Sequence, residues 1–401
     1  MARPALGVAV IGAGMAGRAH AAGYRSATTT FASDLPEVRL VAIADANHDV
    51  ATATARRYGY ERAESTWQAI ADAPDIDVVS VVVANTLHRE IVEGLLAAGK
   101  HVLCEKPMAP TVEDAEAMVA AARTSGRQTG IGFTFRRSPA IAAIARQVEL
   151  GTIGTPVHFS GHYWCDYAVD PAGPMSWRYK GAPGSGALSD IGSHLLDVAE
   201  VVCGPIESIR GAVLSTVITE RNLPVGTAVG HAAAELSDLR EPVENDDLVT
   251  FTATFASGAT GTLSASRVAF GLANSLGFDL FTTAGAATFD LGRASEFGFS
   301  DRSADPATSG MRQVPVGPAH PYITAGLAMD FPGVGYGQND LFVWQARAFL
   351  DQVAGAGAEG VPGAPGALPA VASFEEGLRG VRLLRAVVES AKSGGADVPV
   401  V

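Results

Sequence analysis

The chain reads as an α/β protein. An N-terminal doubly wound parallel sheet is followed by a second α/β domain built on a large, mostly antiparallel open sheet. Two patterns carry this. Up to residue 133, short apolar runs alternate with helix-like segments, as in a parallel sheet with crossover helices. Beyond it, apolar and polar residues alternate strictly over Val249–Phe255 and again over Thr260–Val268, the signature of antiparallel strands. A length of 401 residues leaves room for two domains, set here at 1–133 and 134–401.

Taken in order, Leu6–Ile11 is an apolar run of buried-strand type. It leads into Gly12-Ala13-Gly14-Met15-Ala16-Gly17 and then a helix-like stretch. A glycine triplet with a strand before it and a helix after it is the Rossmann dinucleotide fingerprint. Gly12 permits the tight turn, Gly14 lets main chain approach a pyrophosphate, and Gly17 lets the helix pack on the strand. The helix start at Met15 and Ala16 offers N–H groups and partial positive charge to phosphates. Val38–Ala44 is the second strand, closed by Asp45, whose carboxylate can accept from both ribose hydroxyls. The same carboxylate could cap the helix beginning near Asp49. Ala46-Asn47-His48 follow Asp45 and offer a 2′-phosphate no compensating charge, so the cofactor reads as NAD, with NADP less favoured. The interval from Gly17 to Asp45 is 28 residues (45 minus 17). That exceeds the usual ~20, and the excess is assigned to a loop over Thr28–Pro36.

Helices follow near Val50–Tyr58 and Ser65–Ala71, then a strand at Val78–Val83. Glu90–Ala98 is a helix stopped by Gly99, His101–Cys104 a strand, Val112–Arg123 a helix capped by Thr111, and Thr129–Phe133 a strand. Two of these strands deliver chemistry. Asn85 and His88 follow one, and Glu105 and Lys106 follow the other, at the carboxyl edge where open α/β sheets bind ligands.

In the second domain, Gly181–Gly186 reads as a flexible run opening the segment Ala187–Val198. As a regular α-helix, this segment sets Asp190, His194 and Asp197 within roughly 40° on one face. An Asp one turn before a His can orient the imidazole and raise its basicity. The plainer alternative is a helix-start carboxylate beside a hydrogen-bonded core histidine. Asp190 and His194 have no further metal ligands at a recognisable spacing, and no metal is expected. Gly184-Ser185-Gly186 lacks the G-x-S-x-G spacing of a hydrolase nucleophile. The Thr/Ser-rich faces of the alternating strands suit a covered surface, for which an oligomer interface is one explanation. Residues 353–370 read as a Gly/Ala/Pro-rich surface loop, and Phe374–Ala391 as an amphipathic helix.

Composition narrows the function. Hydrophobic content of 47% against 18% charge supports a sizeable core. A net charge of −13 argues against nucleic acid or an anionic membrane as partner. Cys104, Cys165 and Cys203 are widely spaced and read as small buried hydrophobes in a reducing compartment. The N-terminus runs straight into a strand with no secretory leader, so the cytoplasm is the expected location.

Together, Gly12–Gly17, Gly99–Pro107, Trp177-Arg178 and Gly184–His194 resemble the glucose–fructose oxidoreductase/inositol dehydrogenase (Gfo/Idh/MocA) family over nearly the whole chain. Phe135–Pro139, Gly317–Tyr322 and Gly333–Gly337 carry a finer likeness to its glycoside 3-dehydrogenase branch. The resemblance implies that Lys106, Asp190 and His194 form the catalytic group. It also implies that Asn85 and Glu105 lie near the nicotinamide side of the cofactor, and that Arg136, Tyr163, Trp177 and Arg178 line the substrate pocket. Three positions depart from the family pattern: Ala84 for a proline, Thr134 for an asparagine and Ser185 for a glycine. The implied reaction oxidises a secondary hydroxyl of a sugar or cyclitol, with hydride passing to nicotinamide C4. Two other readings stay open. One is an NAD-dependent glycosidase, which needs a further acid such as Asp166 or Tyr163. The other is a non-enzymatic NAD or sugar sensor, which needs no general base.

Overall fold

The computed structural model describes residues 5–31, 35–226, 235–302, 305, 307, 309–324, 327–329, 331–355 and 368–401. They form two compact units, Met1–Pro139 with Val316–Val381, and Ala140–Pro315 with Arg382–Val401. The first break lies six residues past the boundary read from sequence (139 against 133), and the return of 316–381 to the first unit has no counterpart in that reading.

The first unit opens with β1 (Leu6–Ile11), α1 (Met15–Thr30), β2 (Val38–Ala44), α2 (His48–Tyr58), β3 (Arg62–Glu64), α3 (Trp67–Asp72) and β4 (Val78–Val81). α4 (His88–Ala97), β5 (His101–Cys104), α5 (Val112–Ser125) and β6 (Thr129–Ile131) complete the series. The six strands are parallel in the order β3-β2-β1-β4-β5-β6, the doubly wound arrangement of a dinucleotide-binding sheet. Thr66 and Thr111 cap α3 and α5 as N-terminal acceptors, each worth about 1 kcal/mol. α2 is capped by Asn47, whose Oδ1 accepts from the Asp49 and Val50 amides, so Asp45 is not its cap. α1 runs on through Thr30, which makes Thr28–Thr30 helical rather than loop; residues 32–34 of that expected loop lie outside the described residues. The core joins Ala9, Val41, Val79, Val102 and Ile131 of the strands to Met108, Phe133, Phe374 and Val381.

The second unit contains α6 (Pro139–Glu149), β7 (Pro156–Trp164), α7 (Ser193–Cys203), β8 (Ile206–Ser215), β9 (Glu220–Pro224), β10 (Leu236–Pro242), β11 (Leu248–Phe255) and β12 (Thr260–Ser266). β13 (Ser275–Thr282), β14 (Gly285–Asp290), β15 (Glu296–Asp301), β16 (Arg312–Pro315) and a terminal β17 (Val398–Pro399) follow. Nine strands make one sheet in the order β16-β15-β14-β13-β7-β12-β11-β8-β17. Every neighbouring pair is antiparallel except β7 with β12. β9 and β10 form a separate hairpin. The alternation read from sequence sets the faces: Val249, Phe251, Ala253, Phe255 and Leu263 are buried, while Thr250 and Thr262 are exposed.

After β16, α8 (Pro321–Thr324) and α9 (Gln338–Val353) belong to the first unit, and α10 (Phe374–Lys392) carries the chain from one unit to the other. Residues 356–367 of the expected loop at 353–370 lie outside the described residues. No helix among the described residues is long and apolar enough to cross a membrane. All three cysteines are buried, and none is in a disulfide.

His320 opens α8. Its Nδ1 accepts from the Tyr322 amide at 3.2 Å, and burial lowers its pKa to about 4. Burial also lowers the pKa of His88, His101 and His162. The unfolded chain, with imidazoles near 6.5, therefore takes up protons before the folded chain does. Stability is full above about pH 6.5 and falls as pH drops from there toward 4. Melting temperature followed over this range should fall, and should fall less in His320→Asn, whose amide oxygen can accept the same N–H. Equal slopes in both proteins would contradict the assignment.

Candidate active site

The fingerprint turn has a different reason for each glycine. Gly12 sits at φ 99°, and a Cβ there would lie 2.1 Å from the Val82 carbonyl oxygen. A Cβ at Gly17 would lie 1.8 Å from the Gly12 carbonyl oxygen, so α1 packs on β1 only because both side chains are missing. Gly14 is unlike them. Its backbone is extended, at φ −66° and ψ −166°, and a Cβ there would meet nothing within 4 Å. The fold explains Gly12 and Gly17; Gly14 faces open space at the start of α1, where Met15 is exposed and Ala16 half-buried. Asp45 ties the turn to the end of β2: Oδ2 accepts from the Ala13 amide at 2.8 Å and Oδ1 from the Asn47 amide at 2.9 Å. Helix-start amides, an open glycine and a carboxylate one strand away fit a dinucleotide: phosphates at the amides, ribose hydroxyls at Asp45.

At the carboxyl ends of β4 and β5 the residues divide. Asn85 begins a tight turn, Asn85–Leu87, and is half-buried. Ala84 before it has φ −60°, the value a proline ring would impose, so the loss of the family's proline leaves this backbone in place. His88, expected to touch cofactor, does not face outward. It is buried, with Nδ1 at 3.1 Å from the Met108 carbonyl and Nε2 at 3.1 Å from the Val83 carbonyl. The buried ring packs between the turn after β4 and the segment after Lys106. Glu105 is buried against Gly132, and Lys106, half-buried, is joined to Pro107 by a cis peptide bond. Arg136 lies in a short turn after β6. Its Nη1 donates to Glu376 Oε1 at 2.6 Å, and its guanidinium stacks 5.7 Å from the Phe133 ring centre. This pair is a structural role the sequence reading did not include. Burial works to raise the Glu376 carboxyl, but Arg136 and the Ser373 amide hold it below its ordinary pKa.

The second unit carries Tyr163, Asp190, His194, Trp177 and Arg178, of which the Tyr163 and His194 rings lie close to one another. The helix carrying Asp190 and His194 is not regular. Leu188–Gly192 is a wide π-type turn, and α7 starts only at Ser193. The 100° step that sets Asp190, His194 and Asp197 on one face therefore does not run through Asp190. Asp190 Oδ2 accepts from the Tyr167 hydroxyl at 2.7 Å. Burial, reinforced by Asp190 itself, pushes the Tyr167 pKa up, which keeps it a donor. The Tyr163 ring lies 6.3 Å from the His194 ring, and its hydroxyl donates to Asn274 Oδ1 at 2.9 Å. Arg178 stacks on the exposed Trp177 at 4.4 Å.

What shapes this helix start was invisible in the sequence. Asp246, fully enclosed, accepts three main-chain amides, those of Gly184, Gly186 and Leu188, at 2.8, 3.0 and 2.8 Å. The glycine run read as flexible is thus pinned, and a Cβ on Gly186 would fall 2.1 Å from the Asp246 carbonyl oxygen. Asn245 donates to the Arg178 and Lys180 carbonyls and to the Ser185 hydroxyl, which gives that departure from glycine a partner. Arg267 donates to Asp247, Asn245 and the Arg178 carbonyl. Among the described residues no cluster of His, Cys, Asp and Glu suits a metal ion.

With the two sites described, comparison with known proteins assigns the chain. The NAD-binding Rossmann-fold domain of the Gfo/Idh/MocA oxidoreductase family matches residues 6–133, and the Gfo/Idh/MocA C-terminal domain matches 141–288. The chain is 37% identical over 399 residues to levoglucosan dehydrogenase of Pseudarthrobacter phenanthrenivorans, covering 98% of each protein. It shares 34% identity over 203 residues with D-glucoside 3-dehydrogenase of Escherichia coli, 50% of this chain and 54% of that one. A solved structure of levoglucosan dehydrogenase in complex with NADH aligns at a TM-score of 0.87 and 34% identity, covering 99% of this chain and 100% of that one. The chain belongs to the Gfo/Idh/MocA family. It is an oxidoreductase that uses NAD.

The glycines of the turn separate binding from folding. Gly14→Ala should leave thermal stability within about 1 kcal/mol of the parent and weaken NADH binding about tenfold or more. Gly17→Ala should lower the melting temperature outright. Thermal melts and NADH fluorescence titrations check both. Normal NADH affinity in Gly14→Ala would refute the role given to that position.

Proposed function

We propose that this chain is an NAD-dependent dehydrogenase that oxidises a secondary hydroxyl of a sugar, anhydrosugar, glycoside or cyclitol to the ketone. The observation that carries this is the full-length likeness to levoglucosan dehydrogenase, a relative with a solved structure in complex with NADH and levoglucosan. The N-terminal sheet holds the dinucleotide, with Gly12, Gly14, Met15, Ala16 and Gly17 at the phosphates and Asp45 at the ribose. Asn85 and Glu105 lie toward the nicotinamide. The second unit supplies Tyr163, Trp177 and Arg178 to the substrate. Its Thr/Ser-bearing sheet face makes the contact of a homodimer or homotetramer. Three buried thiols suit a reducing cytoplasm.

His194 takes the hydroxyl proton as general base. Asp190, anchored by the Tyr167 hydroxyl, supplies the negative charge that favours the resulting imidazolium. Lys106 is the cation assigned to oppose negative charge developing on the substrate. Bound NAD⁺ supplies the hydride acceptor. A chain that only sensed NAD or sugar would need none of these three residues. The glycosidase reading needs a further acid, Asp166 or Tyr163, and the Tyr163 hydroxyl donates to Asn274.

NADH formation, scanned over anhydrosugars, glucosides and polyols, tests the reading. His194→Ala and Lys106→Ala should each lower kcat by about 10²–10⁴-fold while still binding NADH. Near-normal turnover in either variant removes that residue from the mechanism. Aglycone release without net NADH would mark a glycosidase instead.

A further inference from the structure

We propose that His20 is a positioning residue for Lys106: a hydrogen-bond chain running from Tyr24 through Ser80 and His20 holds the Glu105 carboxylate, and with it the main chain at Lys106. The proposal rests on the reading of Lys106 as a catalytic group.

All the parts lie in the first unit. α1 turns Gly17, His20, Ala21, Tyr24 and Ala27 inward, a helical stripe in which His20 is the polar exception alongside the tyrosine hydroxyl. Ser80 is the sole polar residue of β4 and is fully buried. The Tyr24 hydroxyl lies 2.9 Å from Ser80 Oγ, and Ser80 Oγ 3.1 Å from His20 Nδ1. His20 Nε2 lies 2.9 Å from Glu105 Oε1. The second carboxylate oxygen, Oε2, accepts from the Lys106 amide at 3.2 Å.

The donors can be ordered from the carboxylate backward. An ionised carboxylate only accepts, so Nε2 carries a proton. In the tautomer with hydrogen on Nε2 alone, Nδ1 accepts and Ser80 donates to it. Having donated, Ser80 Oγ accepts from Tyr24, whose hydroxyl stays protonated because burial raises its pKa. Every link is satisfied in one direction. The carboxylate is also walled in: a Cβ at Gly132 would lie 2.3 Å from Oε1, and the Phe342 ring backs His20 edge-on at 5.4 Å. A buried carboxylate kept only for stability could be replaced by an apolar side chain without loss. Here three polar groups are aligned on one carboxylate, and its far oxygen grips the residue that carries the ammonium.

The test compares the full-length protein with His20→Leu, His20→Gln and Tyr24→Phe, with Lys106→Ala alongside. His20→Leu should lower kcat about 10²-fold, the loss expected for a misplacement of about 1 Å. Its NADH affinity should stay within about twofold, because the phosphate and ribose contacts are untouched. Amide exchange in peptides covering residues 103–109 of the ligand-free protein should quicken. His20→Gln, whose amide can both donate to the carboxylate and accept from Ser80, should recover kcat to within about tenfold of the parent. If His20→Leu does not fold, Tyr24→Phe stands in, with a several-fold loss of kcat and the same quickened exchange. The proposal is overturned by unchanged kcat, by equal losses in the Leu and Gln variants, or by loss of NADH affinity in step with kcat. Near-normal turnover in Lys106→Ala would sink the catalytic reading. An inactive Lys106→Ala beside a fully active His20→Leu would sink the positioning proposal alone.

Discussion

The close seating of α1 on β1 is the constraint from which the rest of the first unit follows. A carbonyl oxygen of Gly12 occupies the place where a Cβ at residue 17 would be. With the helix that near, its first turn points amides past an open Gly14, and its next turn buries His20 within reach of the strand ends. One steric fact thus prepares the phosphate site and brings α1 to the carboxylate next to Lys106. Both depend on glycine at two positions where the backbone leaves no room for anything else.

The second unit solves a different problem, that of holding a loop and an irregular helix start in one conformation. It does so with charge in the interior. Asp247 and Arg267 are almost wholly buried and joined at 2.8 Å, and Asp246 beside them is spent on main-chain amides. Removing one member of such a pair costs about 3–5 kcal/mol, because the other is left buried and uncompensated. The arrangement is therefore costly to disturb, and it fixes the loop that leads into the turn carrying Asp190.

Much of this was legible in the residues. Strand and helix periodicity located the parallel sheet and the antiparallel sheet, and the strand–glycine–helix context located the dinucleotide turn. Three things were not. β3 is Arg62-Ala63-Glu64, too short and too polar to announce a strand. The π-type turn at Leu188–Gly192 has no periodic signature, since it is imposed by Asp246 from 58 residues away. His88 stands one turn from Asn85 at a sheet edge, a setting that suggests a ligand contact; only the carbonyls of Val83 and Met108 show that it faces inward. For the strand, the turn and the Met108 contact the deciding partner is 20 or more residues away, and a sequence read alone has no means of pairing them. The return of residues 316–381 to the first unit belongs with these, because nothing local in a Gly- and Pro-rich stretch tells which sheet it will cover.

The proposed reaction requires direct transfer of hydrogen from a sugar carbinol carbon to the nicotinamide. The decisive measurement uses a substrate deuterated at the reacting carbon, with the label followed by mass spectrometry. Direct transfer gives one deuterium in the reduced cofactor for each ketone formed, and a slowed turnover. Reduced cofactor without the label, or label lost to water, would contradict it.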